Sequence, residues 1–189
     1  MRRMFWISAL LALAAAVVLT GCSRREPVAE PVTEPEEDGA VRDHSDQDAP
    51  KTFGSSIIVY FECEFSAVEL AEEDTTLEQA VYRLEARLEN GAVKASYQRL
   101  IPGGDETKVP FRESHAFMRK ISQIVASHDL AQYNGHHVHV SGLPAMSGAS
   151  LSVRNADRES IDASDNQDNF LPIAAMEELE ALFAGGIKE

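Results

Sequence analysis

Residues 82–100 read YRLEARLENGAVKASYQRL, and the Asn90-Gly91 pair at their centre restricts the fold more than any other short stretch. Asn and Gly both tolerate the positive φ angles of a type I′ turn, so the pair predicts a tight hairpin wherever alternating runs flank it. Tyr82, Leu84, Ala86 and Leu88 precede it, and Val93, Ala95 and Tyr97 follow. A period of two puts each set on one face of a strand. A helix competes for the first arm, residues 77–89. Thr75 and Glu78 match a capping box, and Leu77, Ala80, Val81, Leu84 and Leu88 share a helical face. The hairpin is preferred.

Other segments extend the pattern. Ile57–Phe65 alternates and predicts a strand with Phe61, Cys63 and Phe65 on one face. The acidic stretch from Ser66 to Glu78 predicts a loop, and Thr107–Phe111 a short strand. Ser114 is placed to cap a helix whose stripe is Phe117, Met118, Ile121, Ile124 and Val125. Leu151 with Val153, and Ile161 with Ala163, predict two strands joined by a turn at residues 155–158. Pro172 opens a last helix with Ile173, Met176, Leu179, Leu182 and Phe183 on one side, and Gly185-Gly186 closes it. Strands, helix, strands, helix is the order of an α+β fold: a small antiparallel sheet with two amphipathic helices packed on one face. Residues 57–189 suit one such domain.

The amino terminus follows a different logic. Arg2 and Arg3 precede an apolar run from Met4 to Leu19, broken only by Ser8, and the run ends on Thr20, Gly21 and Cys22. A basic start, an apolar centre and a small-residue exit make a secretory signal peptide over residues 1–21. The run is shorter than the roughly 20 apolar residues a spanning helix needs. Residues 23–56 lack apolar periodicity and hold nine acidic side chains, four basic ones and four of the eight prolines. Such a composition cannot bury enough surface to offset chain entropy. Residues 22–56 are therefore expected to be a cysteine followed by a disordered linker, which would reach about 35 Å on average.

Leu19-Thr20-Gly21-Cys22 resembles the lipobox of bacterial lipoproteins. The resemblance implies cleavage before Cys22, a diacylglycerol on its thiol and palmitate-type acylation of the new amino group. It also implies an extracytoplasmic location, with the lipid bilayer of a cell membrane or outer membrane as partner. Two or more acyl chains hold a protein durably where one does not. From Tyr82 onward the chain also resembles a loose family of uncharacterised bacterial lipoproteins. The words it shares are Tyr133-Asn134-Gly135, Ser141–Pro144, Ala163–Asn166 and Phe170–Pro172. That resemblance supports the hairpin and the two-helix layout and carries no site residues.

Charge limits the partners. The formal charge is −14, and loss of Arg2 and Arg3 takes it to −16. Phosphate backbones are bound through lysine and arginine, so nucleic acid is excluded as an expected partner, and so is charge-driven binding to an anionic bilayer. With Cys22 lipidated, Cys63 has no partner and is expected to be a buried, inert thiol.

YNGHHVHVSG, residues 133–142, is the one cluster with ligand chemistry. His137 and His139 share a strand face, and imidazole is a ligand for zinc, copper or nickel. A zinc site takes three or four protein ligands, so His136, His128 or a carboxylate would have to join them. A possible transition metal at His136, His137 and His139 is the alternative to a plain polar strand. His128 extends the helical stripe to its carboxyl end, where the helix dipole favours an imidazolium. Asp162–Asn169 is oxygen-rich but lacks the spacing, glycine and late glutamate of a calcium loop. The chain holds no Gly-x-Ser-x-Gly, His-Glu-x-x-His or Ser-x-x-Lys and no phosphate-cradling glycine loop, so no catalytic residue is assigned. The functional expectation is a membrane-anchored, non-enzymatic binding or structural module at the cell envelope. Its alternative is a transition-metal-binding lipoprotein.

Overall fold

The arms flanking Asn90-Gly91 do form a hairpin. In a computed structural model of the chain, which describes residues 39–54, 57–71, 74–143 and 148–187, Asn90 and Gly91 take φ values of 51° and 79°. The helical alternative gives way because every alternate residue of the arm can be buried at once in a strand. Thr75 and Glu78 form no capping box. Both threonine hydroxyls of Thr75 and Thr76 donate instead to Glu177.

In chain order the elements are β1 (Val41–Asp43), β2 (Ile58–Ser66), β3 (Val81–Glu89), β4 (Ala92–Leu100), β5 (Glu106–Glu113), α1 (His115–Ser127), β6 (His137–Val140), β7 (Ala149–Asn155), β8 (Ser160–Asp165) and α2 (Ile173–Ala184). A short 3-10 turn, Leu130–Tyr133, links α1 to β6. The strands make one sheet in the order β1-β6-β8-β7-β2-β3-β4-β5. All neighbours are antiparallel except β6 and β8. The class is α+β, as expected, but the sheet has eight strands and is not small.

Its size follows from a long-range pairing that periodicity does not announce. Strand β2 pairs with β3 on one side and with β7 on the other, so it joins the two halves of the chain. One sheet face is apolar: Phe61, Cys63 and Phe65 from β2, Tyr82, Leu84 and Ala86 from β3, and Leu151 and Val153 from β7 are all buried. The helices lie on it. Phe117, Met118, Ile121, Ile124 and Val125 of α1 are the buried stripe that the spacing marks out. From α2, Ala175, Met176, Leu179 and Phe183 are buried, with Leu182 only partly so. Phe183 meets Phe61, Phe111 and Phe117 with ring centroids 5.0–6.1 Å apart, so four elements share one aromatic cluster. Cys63 is fully buried in this layer as a free thiol, as expected.

The linker expected over residues 22–56 does not run through residues 39–54. That stretch forms a strap along the sheet, with β1 as an edge strand paired to β6. Val41, Arg42 and Asp43 are all exposed, so β1 itself is held by its backbone and not by a buried face. Hydrophobicity could not reveal it. Phe53, packed against the core, is the strap's one aromatic residue. The signal peptide expected over residues 1–21, Cys22 and the rest of the linker lie outside the described residues.

Candidate functional site

The histidine-rich stretch lies where the strap meets the sheet. Its bonding is dense. Gly135 takes φ +79°, and a Cβ there would come within 2.5 Å of the Asp46 carbonyl oxygen. Only glycine permits that approach, and the bonds that follow depend on it. The Asp46 N–H donates to the Gly135 carbonyl at 2.7 Å, and the Gly135 N–H donates to the Asp162 carbonyl at 2.8 Å. One peptide thus connects strap and sheet.

Asn134 does the same with its side chain. Its Nδ2 donates to the Pro50 carbonyl at 2.9 Å, and its Oδ1 accepts the Asp162 N–H at 2.9 Å. The Lys51 ammonium donates to the Asn134 carbonyl. The buried Asn166 copies a strand edge: its amide accepts from the Val140 N–H at 2.7 Å and donates to the Val140 carbonyl at 2.9 Å. The words YNG and ASDN are therefore built into the seam between β1, β6 and β8.

The three histidines divide. His136 Nε2 lies 3.2 Å from Asp165 Oδ2, while Asp165 Oδ1 accepts the backbone N–H groups of Gln167 and Asp168. His137 Nδ1 lies 3.0 Å from the Ser164 hydroxyl. His139 is exposed and sits opposite Arg42 of β1. His137 and His139 share a face, as expected, but His136 turns to Asp165 on the other. Among the described residues no three His, Cys, Asp or Glu side chains come together as a metal site would need. His128 ends α1, with Nε2 3.2 Å from Glu178 Oε1 but out of line for a hydrogen bond. The oxygen-rich stretch from Asp162 is spent on turns and seam bonds.

A second polar cluster fastens α2. The Tyr97 hydroxyl donates to Glu180 Oε1 at 3.0 Å, and the Tyr82 hydroxyl to the Glu78 carbonyl at 3.2 Å. Burial, then the nearby Glu180 charge, raises both phenols, Tyr82 to about 12. Glu177 accepts the Thr76 N–H and both threonine hydroxyls, which holds its carboxyl below the usual range.

The feature that sequence reasoning missed is a cleft of about 440 Å³ between the strap and the carboxyl-terminal half of α1. Lys51, Phe53 and Gly54 line one wall, Gln123, Val125 and Ala126 the other, with Asp129 and Ala131 closing the end. This volume lies in the range that takes small organic ligands. One wall falls in the segment expected to be linker, so no pattern in α1 alone could indicate a cleft. Phe53, an isolated aromatic in a polar stretch, was the one available signal. No protein-family model matches the chain, and no curated protein or solved structure is found to be similar to it.

Proposed function

We propose that this chain is a lipid-anchored extracytoplasmic binding module, held at a bacterial membrane through Cys22, with the cleft beside the strap as its contact surface for an envelope component. One observation carries the reading: a basic, apolar and small-residue leader ends on Leu19-Thr20-Gly21-Cys22. The acidic, proline-containing residues 23–38 that follow suit a spacer between lipid and domain. The seam residues His136, His137, Asn134, Asp165 and Asn166 are engaged in bonds that hold strap and sheet together. This leaves the cleft, with Phe53, Val125 and Ala126 beside the charged Lys51 and Asp129, as the surface offered to a ligand.

Intact mass of the membrane-extracted protein, beside Cys22→Ser, tests it. The expected product begins at residue 22 and carries the mass of a diacylglycerol and an acyl chain, and Cys22→Ser remains unprocessed. Uncleaved wild-type protein without lipid mass refutes the anchor. About one zinc or copper per chain, lost with His137→Ala and His139→Ala together, replaces the module reading with the metal-binding one.

A further inference from the structure

The helix-free face of the sheet breaks a rule of strand pairing. Eleven basic side chains stand in residues 57–189, against twenty-two acidic ones. Register sets four of the eleven in a single line across five strands. Arg154 of β7 lies opposite Tyr60 of β2, Tyr60 opposite Arg87 of β3, Arg87 opposite Lys94 of β4, and Lys94 opposite Arg112 of β5. At about 4.8 Å per strand the line runs about 19 Å. Arg87, Lys94, Arg112 and Arg154 are all exposed.

Like charges directly opposite one another destabilise a sheet, and here two such pairs are consecutive. Glu89 relieves part of the strain, 2.5 Å from Lys94 and 3.6 Å from Arg87, and Glu85 pairs with Arg87. Arg154 stacks over the Tyr60 ring at 4.8 Å. Among the described residues no carboxylate is paired with Arg112. Sequences depart from local consistency where function demands it, and this line departs at three adjacent strands.

The geometry points to a binding surface for a linear polyanion one chain wide, and we propose that its occupant is an acidic polysaccharide. The shape of the charge decides the class. Two residues further along the strands, Glu62 lies opposite Glu85, a like-charged acidic pair beside the basic line. A bilayer surface or a nucleic acid duplex would cover both rows and meet the carboxylates. A single extended chain follows the basic line and leaves the Glu62–Glu85 row aside. Glu85 and Glu89 neutralise part of Arg87 and Lys94 at its middle, so Arg112 and Arg154 at its two ends carry the attraction. A shallow depression of about 220 Å³ among Glu85, Arg87, Glu89, Lys94 and Ser96 lies on its path. Sugar hydroxyls find hydroxyl partners nearby in Ser96, Ser152 and Ser160. The choice of a glycan over another linear polyanion rests on the extracytoplasmic reading, whereas the basic line does not.

The test uses the mature chain with Cys22→Ser, titrated with polygalacturonate, neutral dextran, oligo-dT and anionic vesicles. Polygalacturonate is expected to bind at about 50 mM salt and to weaken steeply as salt rises. Arg112→Ala with Arg154→Ala should weaken it about tenfold, while Arg119→Ala with Lys120→Ala on α1 leaves it unchanged. Arg112→Ala alone should not lower the unfolding midpoint, because it removes a like-charge neighbour, and should weaken binding on its own. Its midpoint and that of the double variant are read beside the titrations, so lost binding is separated from lost folding. No binding to polygalacturonate, or equal loss from the α1 pair, overturns the surface. Equal or tighter binding to vesicles overturns the one-chain-wide geometry. Tighter binding to oligo-dT retains the surface and overturns the glycan. A failed lipid anchor leaves all of these outcomes readable, since none depends on Cys22.

Discussion

Asn134→Ala isolates what holds the strap. The substitution removes an amide that bonds two backbone groups, the Pro50 carbonyl and the Asp162 N–H, each at 2.9 Å and each part-buried. A buried hydrogen bond contributes about 1 kcal/mol net, so the loss should be about 2 kcal/mol. It should also be local. The side-chain hydrogen bonds of Asn134 reach the strap at Pro50 and β8 at Asp162, so hydrogen exchange should rise over residues 44–53 before it rises in the core. Asn134→Asp separates the two bonds: it keeps an acceptor for Asp162 and turns a carboxylate oxygen on the Pro50 carbonyl. Strap protection should then fall with β8 left intact. Urea unfolding of the mature Cys22→Ser chain gives the free energy, and exchange read by mass spectrometry gives its distribution. An unfolding free energy changed by less than about 0.5 kcal/mol, with strap protection unaltered, refutes the seam as the strap's fastening.

Gly135→Ala should release the same strap more completely, since a Cβ would also meet the Ala49 Cβ at 2.6 Å; limited proteolysis between residues 44 and 53 reads the release. Cys63 should resist alkylation in the native protein and react at the unfolding rate, because burial pushes its thiol well above the ordinary range. Stability should fall as pH rises from about 9, where unfolded cysteine and then tyrosine lose protons, toward the values of about 12 that burial imposes on Tyr60 and Tyr82. The native state keeps protons that the unfolded chain releases, so the sign is a loss on the alkaline side; an unfolding midpoint flat between those limits contradicts the burial of these groups. Glu177→Ala should detach the Thr75–Thr76 turn from α2 by removing the one oxygen that accepts all three bonds, seen as faster exchange at the Thr76 amide with little change elsewhere.

How much was legible in the sequence depends on what binds each segment. Alternation and turn chemistry located β3, β4, β7 and β8, and the stripe from Phe117 to Val125 located α1, because in each case burial is periodic and local. The strap was illegible because its three-residue strand is exposed on every side chain and is ordered by partners remote in sequence. Polar words such as YNG and ASDN looked like chemistry and are seam residues, since a glycine at positive φ and an amide that copies a strand edge both read as binding motifs. The basic line across the sheet was hidden for another reason. Arg87, Lys94, Arg112 and Arg154 are scattered singly along the chain, and only cross-strand register aligns them.

The strap also sets an order of events. Lys51 and Asn134, which it joins, are 83 residues apart, and every partner of β1 lies on β6 or beyond. Strands β2 to β5 can pair as they emerge, each with its neighbour in sequence, at small loop-closure cost. Residues 39–54 precede all of these strands and find their dock only once β6 and β8 have been made. The first strand of the described residues thus closes only on strands made late in the chain, and the sheet edge it forms exists only once they are in place.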